Sequence, residues 1–126
     1  MAKHDIGPQG DLLEWMSEAI KNSDVVVICY NAAYCESVYC KSEANMSFQN
    51  KKHIIPIKME GGLECPDWLN CIIASYHRYD FYTEAQFSEN IPKIIDNILL
   101  NKDKANKAYV IVNDIISDLY QLENIY

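Results

Sequence analysis

Positive charge is scarce in this chain: 11 Lys and Arg stand against 18 Asp and Glu, a net charge of -7 over 126 residues. Phosphate contacts need clustered cations, so general nucleic-acid binding is excluded, and an anionic membrane surface is disfavoured for the same reason. Long apolar runs are missing too. None reaches the ~20 residues a membrane helix requires, and the first residues carry no signal-peptide pattern. No G-x-x-x-x-G-K-[ST], G-x-G-x-x-G or G-x-S-x-G run occurs, so no phosphate loop or serine elbow is expected. Internal repeats and low-complexity segments are absent as well.

The five cysteines are an odd number without secretory context. They read as reduced thiols of a cytosolic protein. Neither Cys35 with Cys40 nor Cys65 with Cys71 has C-x-x-C spacing, and there is no H-x-x-x-H partner, so no metal site is expected. His4, His53 and His77 are scattered and read as structural or surface residues. Trp15 and Trp68 fall at apolar helical positions and read as core.

What is present is ordinary for a single soluble domain: 49% apolar and 23% charged residues. "HDIGPQG", 4–10, is loop chemistry. "DLLEWMSEAIKNS" places Leu12, Trp15, Met16, Ala19 and Ile20 at helical spacing, with Asp11 as a plausible cap. "VVVICY", 25–30, is β-branched without polar alternation, the pattern of a strand covered on both faces. "NAAYCES" reads as a loop, and a helix is expected from Ser37, its cap, to Asn50. "HIIPIKM", 53–59, is a second buried strand. After the "EGGLECP" loop come a short helix, "DWLNCIIAS", and a strand, "YHRYDFY", 76–82. "QFSENIPKIIDNILLNK" is amphipathic, with Pro92 expected near its first turns.

Strands alternating with helices predict an α/β layered fold with a parallel sheet, whose ligands bind at the carboxyl ends of the strands. In the tail, Ala108, Val112, Ile115, Leu119, Leu122 and Tyr126 recur by four and three, with Ile111, Ile116 and Tyr120 widening the stripe. This predicts an extra C-terminal helix over the extension 105–126, packed on its own domain (1–104) or offered as a short seam to a partner helix.

Residues 19–59 resemble the middle of a TIR (Toll/interleukin receptor) domain. The family pattern S-x-x-Y-x-x-S-x-x-C-x-x-E reads here as Asn31, Tyr34, Ser37, Cys40 and Glu43, with Asn in the first place. "KKHIIPIKM", "PDWL", "RYDFY" and "FSENIPKIIDNI" follow in the family's order, over about residues 5–100. The resemblance implies a flavodoxin-like parallel sheet with flanking helices. It also implies a partner-contact loop, so Gly7, Pro8 and Gly10 are candidate partner-binding residues. The family's opening strand of the type D-V-F-I-S-Y, with its helix and second strand, has no counterpart before residue 19. In the strand order 2-1-3-4-5 that opening strand is the central one, and its loss would leave "VVVICY" an uncovered edge. A fragment, a domain completed by another chain, or a reduced sheet of about three strands would each account for this.

The resemblance implies an intracellular signalling module that binds other TIR domains, with self-association included, and cytoplasmic location. The alternative it implies is an NAD+ glycohydrolase with Glu43 as catalytic carboxylate and Tyr39 and Cys40 binding substrate; NAD+ would then be substrate, and no cofactor is expected. Cleaving the nicotinamide–ribose bond builds positive charge on the ribose, which a carboxylate in a dry cleft stabilises. The competing reading is a glutamate that only complements the helix dipole. Enzymatic members also use the opening strand and its loop.

Overall fold

The side chains of Val25, Val26 and Ile28 are wholly inaccessible to solvent, and the sheet is built outward from them. The computed structural model describes residues 9–102 and 107–112. Strand β1, Ser23–Tyr30, pairs in parallel with β2, His53–Lys58, in a register that sets Val26 opposite Ile54 and Cys29 opposite Ile57. Alternation then divides the core. Val26, Ile28, Tyr30 and Ile54 face one layer, which includes Ile20, Tyr34, Cys40, Ala44, Leu69 and Ile72. Val25, Val27, Ile55 and Ile57 face the other, with Tyr79 and Ile94. The continuous apolar run of β1 follows from being covered twice.

The first layer is supplied by helices α1, Gln9–Lys21, α3, Val38–Gln49, and α4, Asp67–Ile73, with a one-turn helix α2, Ala32–Glu36, after β1. The opposite face carries α5, Glu84–Asn101. A strand expected over 76–82 shrinks to β3, Tyr79–Asp80, pairing with Ile57 and Lys58. β2 ends at Lys58, whose carbonyl accepts from the Phe81 amide at 2.8 Å as the pairing runs out. The sheet is parallel and flavodoxin-like, as the sequence predicts.

The tail corrects the sequence reading. Lys107–Val112 is a strand, β4, not the start of a helix, and it lies parallel along the free edge of β1, with Val26 opposite Tyr109 and Val27 opposite Val110. The order β3-β2-β1-β4 has four strands rather than about three, and β1 is internal. The five-residue apolar run 108–112 satisfies both periods, and an open apolar edge decides between them. The remainder of the expected C-terminal helix, 113–126, lies outside the described residues.

Other departures are local. Gly10 and Asp11 sit inside α1, so Gly10 is not part of a loop and Asp11 is not its cap; Gly7 and Pro8 lie outside the described residues. The loop expected after β1 contains α2, because the Asn31 side chain accepts from the Tyr34 amide at 2.9 Å and caps it. α5 starts at Glu84, earlier than its apolar stripe suggests, through a capping box of Thr83 and Gln86. Pro92 is consequently mid-helix, where it removes the donor for the Ser88 carbonyl; both residues are exposed, so water can serve that oxygen. Helix α3 closes on a Schellman arrangement: Lys52 donates to the Ser47 carbonyl at 3.0 Å and Lys51 to Phe48 at 3.1 Å. Lys51 carries the required left-handed backbone, φ 56°, with a β-carbon.

Two substitutions follow. Lys51→Gly relieves left-handed strain and raises stability by roughly 0.5–1 kcal/mol in denaturant melts. Pro92→Ala restores the Ser88 bond and raises it by about 1–3 kcal/mol, the helix-interior penalty less the entropy proline removes from the unfolded chain.

Candidate functional site

The stretch from Asn31 to Glu43 is organised every third residue. Asn31 caps α2, Tyr34 is fully buried, and the Ser37 hydroxyl accepts from the Cys40 amide at 3.2 Å to cap α3. The Tyr34 hydroxyl donates to the Cys40 carbonyl at 3.3 Å, tying the two helices together. Cys40 and Glu43, three apart on α3, both face inward at 3% and 2% exposure. Each motif position thus has a task in the fold: cap, core, cap, core, core.

Glu43 lies one turn in from the start of α3, and β1 and β2 run parallel toward the rim where that helix begins. Its carboxylate adds to the forces holding the Tyr34 phenol well above the ordinary tyrosine range; burial is the largest, then Cys40, then Glu43. Ser47 donates to the Glu43 carbonyl at 2.8 Å. On the outer side of the same helix, Val38, Tyr39 and Ser42 join Leu13 of α1 around an open cleft of about 370 Å3. Of the three substrate or catalytic candidates, Tyr39 lines this cleft, whereas Cys40 and Glu43 are turned to the interior. Val38 and Leu13 are 75% and 42% exposed, so the cleft rim is apolar and open to solvent.

A second cleft, about 390 Å3, was not legible in the sequence. Tyr30 and Lys58, the last residues of β1 and β2, line it together with Cys65, Asn70, Tyr76 and Arg78. Lys58 and Arg78 give it two cations in an acidic chain, although Arg78 is already bound to Asp80 at 2.9 Å. Only the parallel register brings strand ends so distant in sequence to one rim. Nearby, Glu60 accepts from the Ala32 amide at 2.8 Å, anchoring the loop after β2 to the start of α2.

The histidines have structural surroundings. His53 bonds Asn97 at 2.8 Å, and Asn97 donates to the Tyr79 hydroxyl at 3.2 Å, joining β2, β3 and α5. His77 stands edge-on to the Tyr79 ring. Trp15 and Trp68 pack against the first core layer, with Lys41 over the Trp68 ring. Among the described residues no group of three His, Cys, Asp or Glu could hold a metal, and no helix is long and apolar enough to cross a membrane.

A family model described as TIR domain matches residues 1–95. Searches of curated proteins and of solved structures returned no match.

Burial sets the acid–base behaviour of the interior. It pushes the Cys29 thiol to about 12 and the Cys35 thiol to about 11, from an ordinary value of 9.0. It is also the largest cause raising the Tyr30 phenol to about 12 from 10.0. These groups are held neutral, so the stability they contribute is complete below pH 9 and is lost as pH climbs through 11 to 12. Denaturant midpoints are therefore flat from neutrality to about pH 9 and fall between there and about pH 12. At pH 8 a thiol reagent modifies the exposed Cys71 promptly and the partly buried Cys29 far more slowly.

Proposed function

The chain belongs to the TIR-domain family, a family of signalling and protein-interaction modules, and from that premise we propose that it acts by binding other TIR domains rather than by turning over a small molecule. The observation that carries this reading is the placement of Glu43. At 2% exposure it is packed beneath α3. Stabilising a ribosyl cation requires a carboxylate that can approach the sugar, and a group enclosed by its own helix and Tyr34 cannot do so without rearrangement of the core. The outward side of the same helix start offers an apolar, solvent-open rim: Val38, Leu13 and the half-buried Tyr39. Side chains of this kind, held on two packed helices, serve as contacts for a second domain at little ordering cost.

The NAD+ glycohydrolase reading retains one specific support. Glu43 lies within a turn of Tyr39 and Ser42, which line a cleft on α3. In that reading Tyr39 would hold the base or ribose, and Glu43 would have to turn outward. The partner-contact role for Gly7, Pro8 and Gly10 is retained as part of the interaction reading, with Gly10 acting from the start of α1.

Sedimentation and nicotinamide release separate the two. The interaction reading predicts concentration-dependent association, or binding to a second TIR domain, that Val38→Glu weakens by at least about 5-fold, the loss of a central contact. Val38→Glu melts like the parent, because the position is 75% exposed. It predicts no nicotinamide release from NAD+ above the blank. A chain that binds no TIR domain yet releases nicotinamide, with release abolished by Glu43→Gln in a folded variant, overturns it.

A further inference from the structure

We propose that the cleft where β1 and β2 end is a binding site for a small monocarboxylate with an aromatic or branched apolar body. It shares no lining residue with the cleft of Leu13, Val38 and Tyr39, and it stands whether or not the chain binds another TIR domain.

Register builds the floor of this cleft. Tyr30 lies opposite Lys58, and Lys58 lies opposite Asp80. Residues paired across neighbouring strands share a face of the sheet. Phenol, ammonium and carboxylate therefore stand in a row at the carboxyl rim, on the face that α1, α3 and α4 cover. Arg78, two residues before Asp80, projects from the same face and is bonded to that carboxylate at 2.9 Å. The wall comes from α4 and the residue that ends it, through Asn70, Ile73 and Ala74. Asn70 also ties the wall to the loop after β2 by donating to the Cys65 carbonyl at 3.1 Å.

Two polar groups in the row are unmet. Among the described residues the Lys58 ammonium has neither an ion-pair nor a hydrogen-bond partner. The Tyr30 side chain is only 1% exposed, yet its hydroxyl makes no hydrogen bond to the described residues and opens on the cleft. An enclosed hydroxyl without a partner is rare enough to need an explanation, and a ligand oxygen at this place supplies one. Burial above all holds that phenol at about 12, so it remains a donor across the neutral range. Cys65 shows that the two cations converge here. Burial is the largest influence and raises its thiol, while Lys58 and then Arg78 pull it down.

Charge decides the class of ligand. Lys58 and Arg78 bring two positive charges and Asp80 removes one, which leaves a single positive charge in the cleft. A carboxylate balances it. A phosphate monoester carries nearly twice that charge at neutral pH and would face the Asp80 carboxylate with the excess. The rest of the lining sets the body of the ligand: Ile73, Ala74 and Tyr76 offer apolar and aromatic surface. A volume of about 390 Å3 falls within the range of small-molecule sites and has room for a ring or a branched chain. In the filled site Lys58 pairs with the carboxylate, the Tyr30 hydroxyl donates to it, and the apolar body lies along Ile73 and Tyr76. With the thiol and the phenol both held neutral, the site binds its ligand without attacking it.

NMR titration of the whole chain with phenylacetate tests this. The amides of Lys58, Asn70 and Arg78 should shift saturably, with a Kd at or below about 1 mM, the affinity of a fragment-sized anion. Phenylacetamide, the neutral counterpart, should bind at least about 10-fold more weakly, and benzyl phosphate should bind no more tightly than phenylacetate. Lys58→Gln should weaken phenylacetate by about 10-fold and Tyr30→Phe by about 3-fold or more. Both variants should melt like the parent, because the groups they remove have no partner in the free chain. Asp80→Asn, which releases the second cation, should turn the preference toward benzyl phosphate. Absence of a saturable shift, equal binding of phenylacetamide, or undiminished binding by folded Lys58→Gln overturns the site. Tighter binding of benzyl phosphate to the parent chain, or an unchanged preference in Asp80→Asn, overturns its assignment to a carboxylate.

Discussion

Pairing of β1 with a strand on each side is the constraint from which the rest of the structure follows. Its residues Val25, Val26 and Ile28 are fully buried, and burying such side chains is worth roughly 1.5–3 kcal/mol each only if both faces and both edges are closed to water. β2 closes one edge and β4 the other, in parallel register. Helices then have to cover two faces: α1, α3 and α4 on one, α5 on the other. An apolar edge left open would invite pairing with another chain. The residues at 107–112 turn that liability into the centre of the sheet.

The same constraint positions the candidate site. Because β1 and β2 run in one direction, the turn after β1, the start of α3 and the loop after β2 gather at one rim. The three-residue rhythm from Asn31 to Glu43 converts that rim into a rigid corner. Asn31 and Ser37 satisfy helix-start amides, and Tyr34 and Cys40 fill the space beneath. Rigidity there favours recognition, since a preformed surface loses little entropy on binding. It disfavours a catalytic role for Glu43, which would have to leave a packed position first.

Much of this was legible in the sequence, for physical reasons that can be named. Residues 25–30 and 53–58 lack polar alternation, which signals burial on both faces, and Ser37 announces α3 because a hydroxyl can serve a free helix amide. Spacing also placed Cys40 and Glu43 on one face. It could not tell that this face is the inner one, since a glutamate on a helix of mixed polarity fits either side. The strand at 107–112 was misread because Ala108, Val112 and Ile115 keep helical spacing, while the deciding factor, the free edge of β1, is some eighty residues away in sequence. The cleft of Tyr30, Lys58 and Arg78 was invisible for the same reason: it exists only once strand ends are aligned.

Amide hydrogen exchange along β1, recorded in dilute monomeric protein, tests the central claim most directly. Alternate amides of a strand point to opposite edges, so a strand flanked on both sides protects all of Val25 to Cys29 to a similar, near-global degree. That uniform protection is the predicted result. Rapid exchange at every second residue of this stretch would mean that one edge of β1 is bare, and would contradict the account.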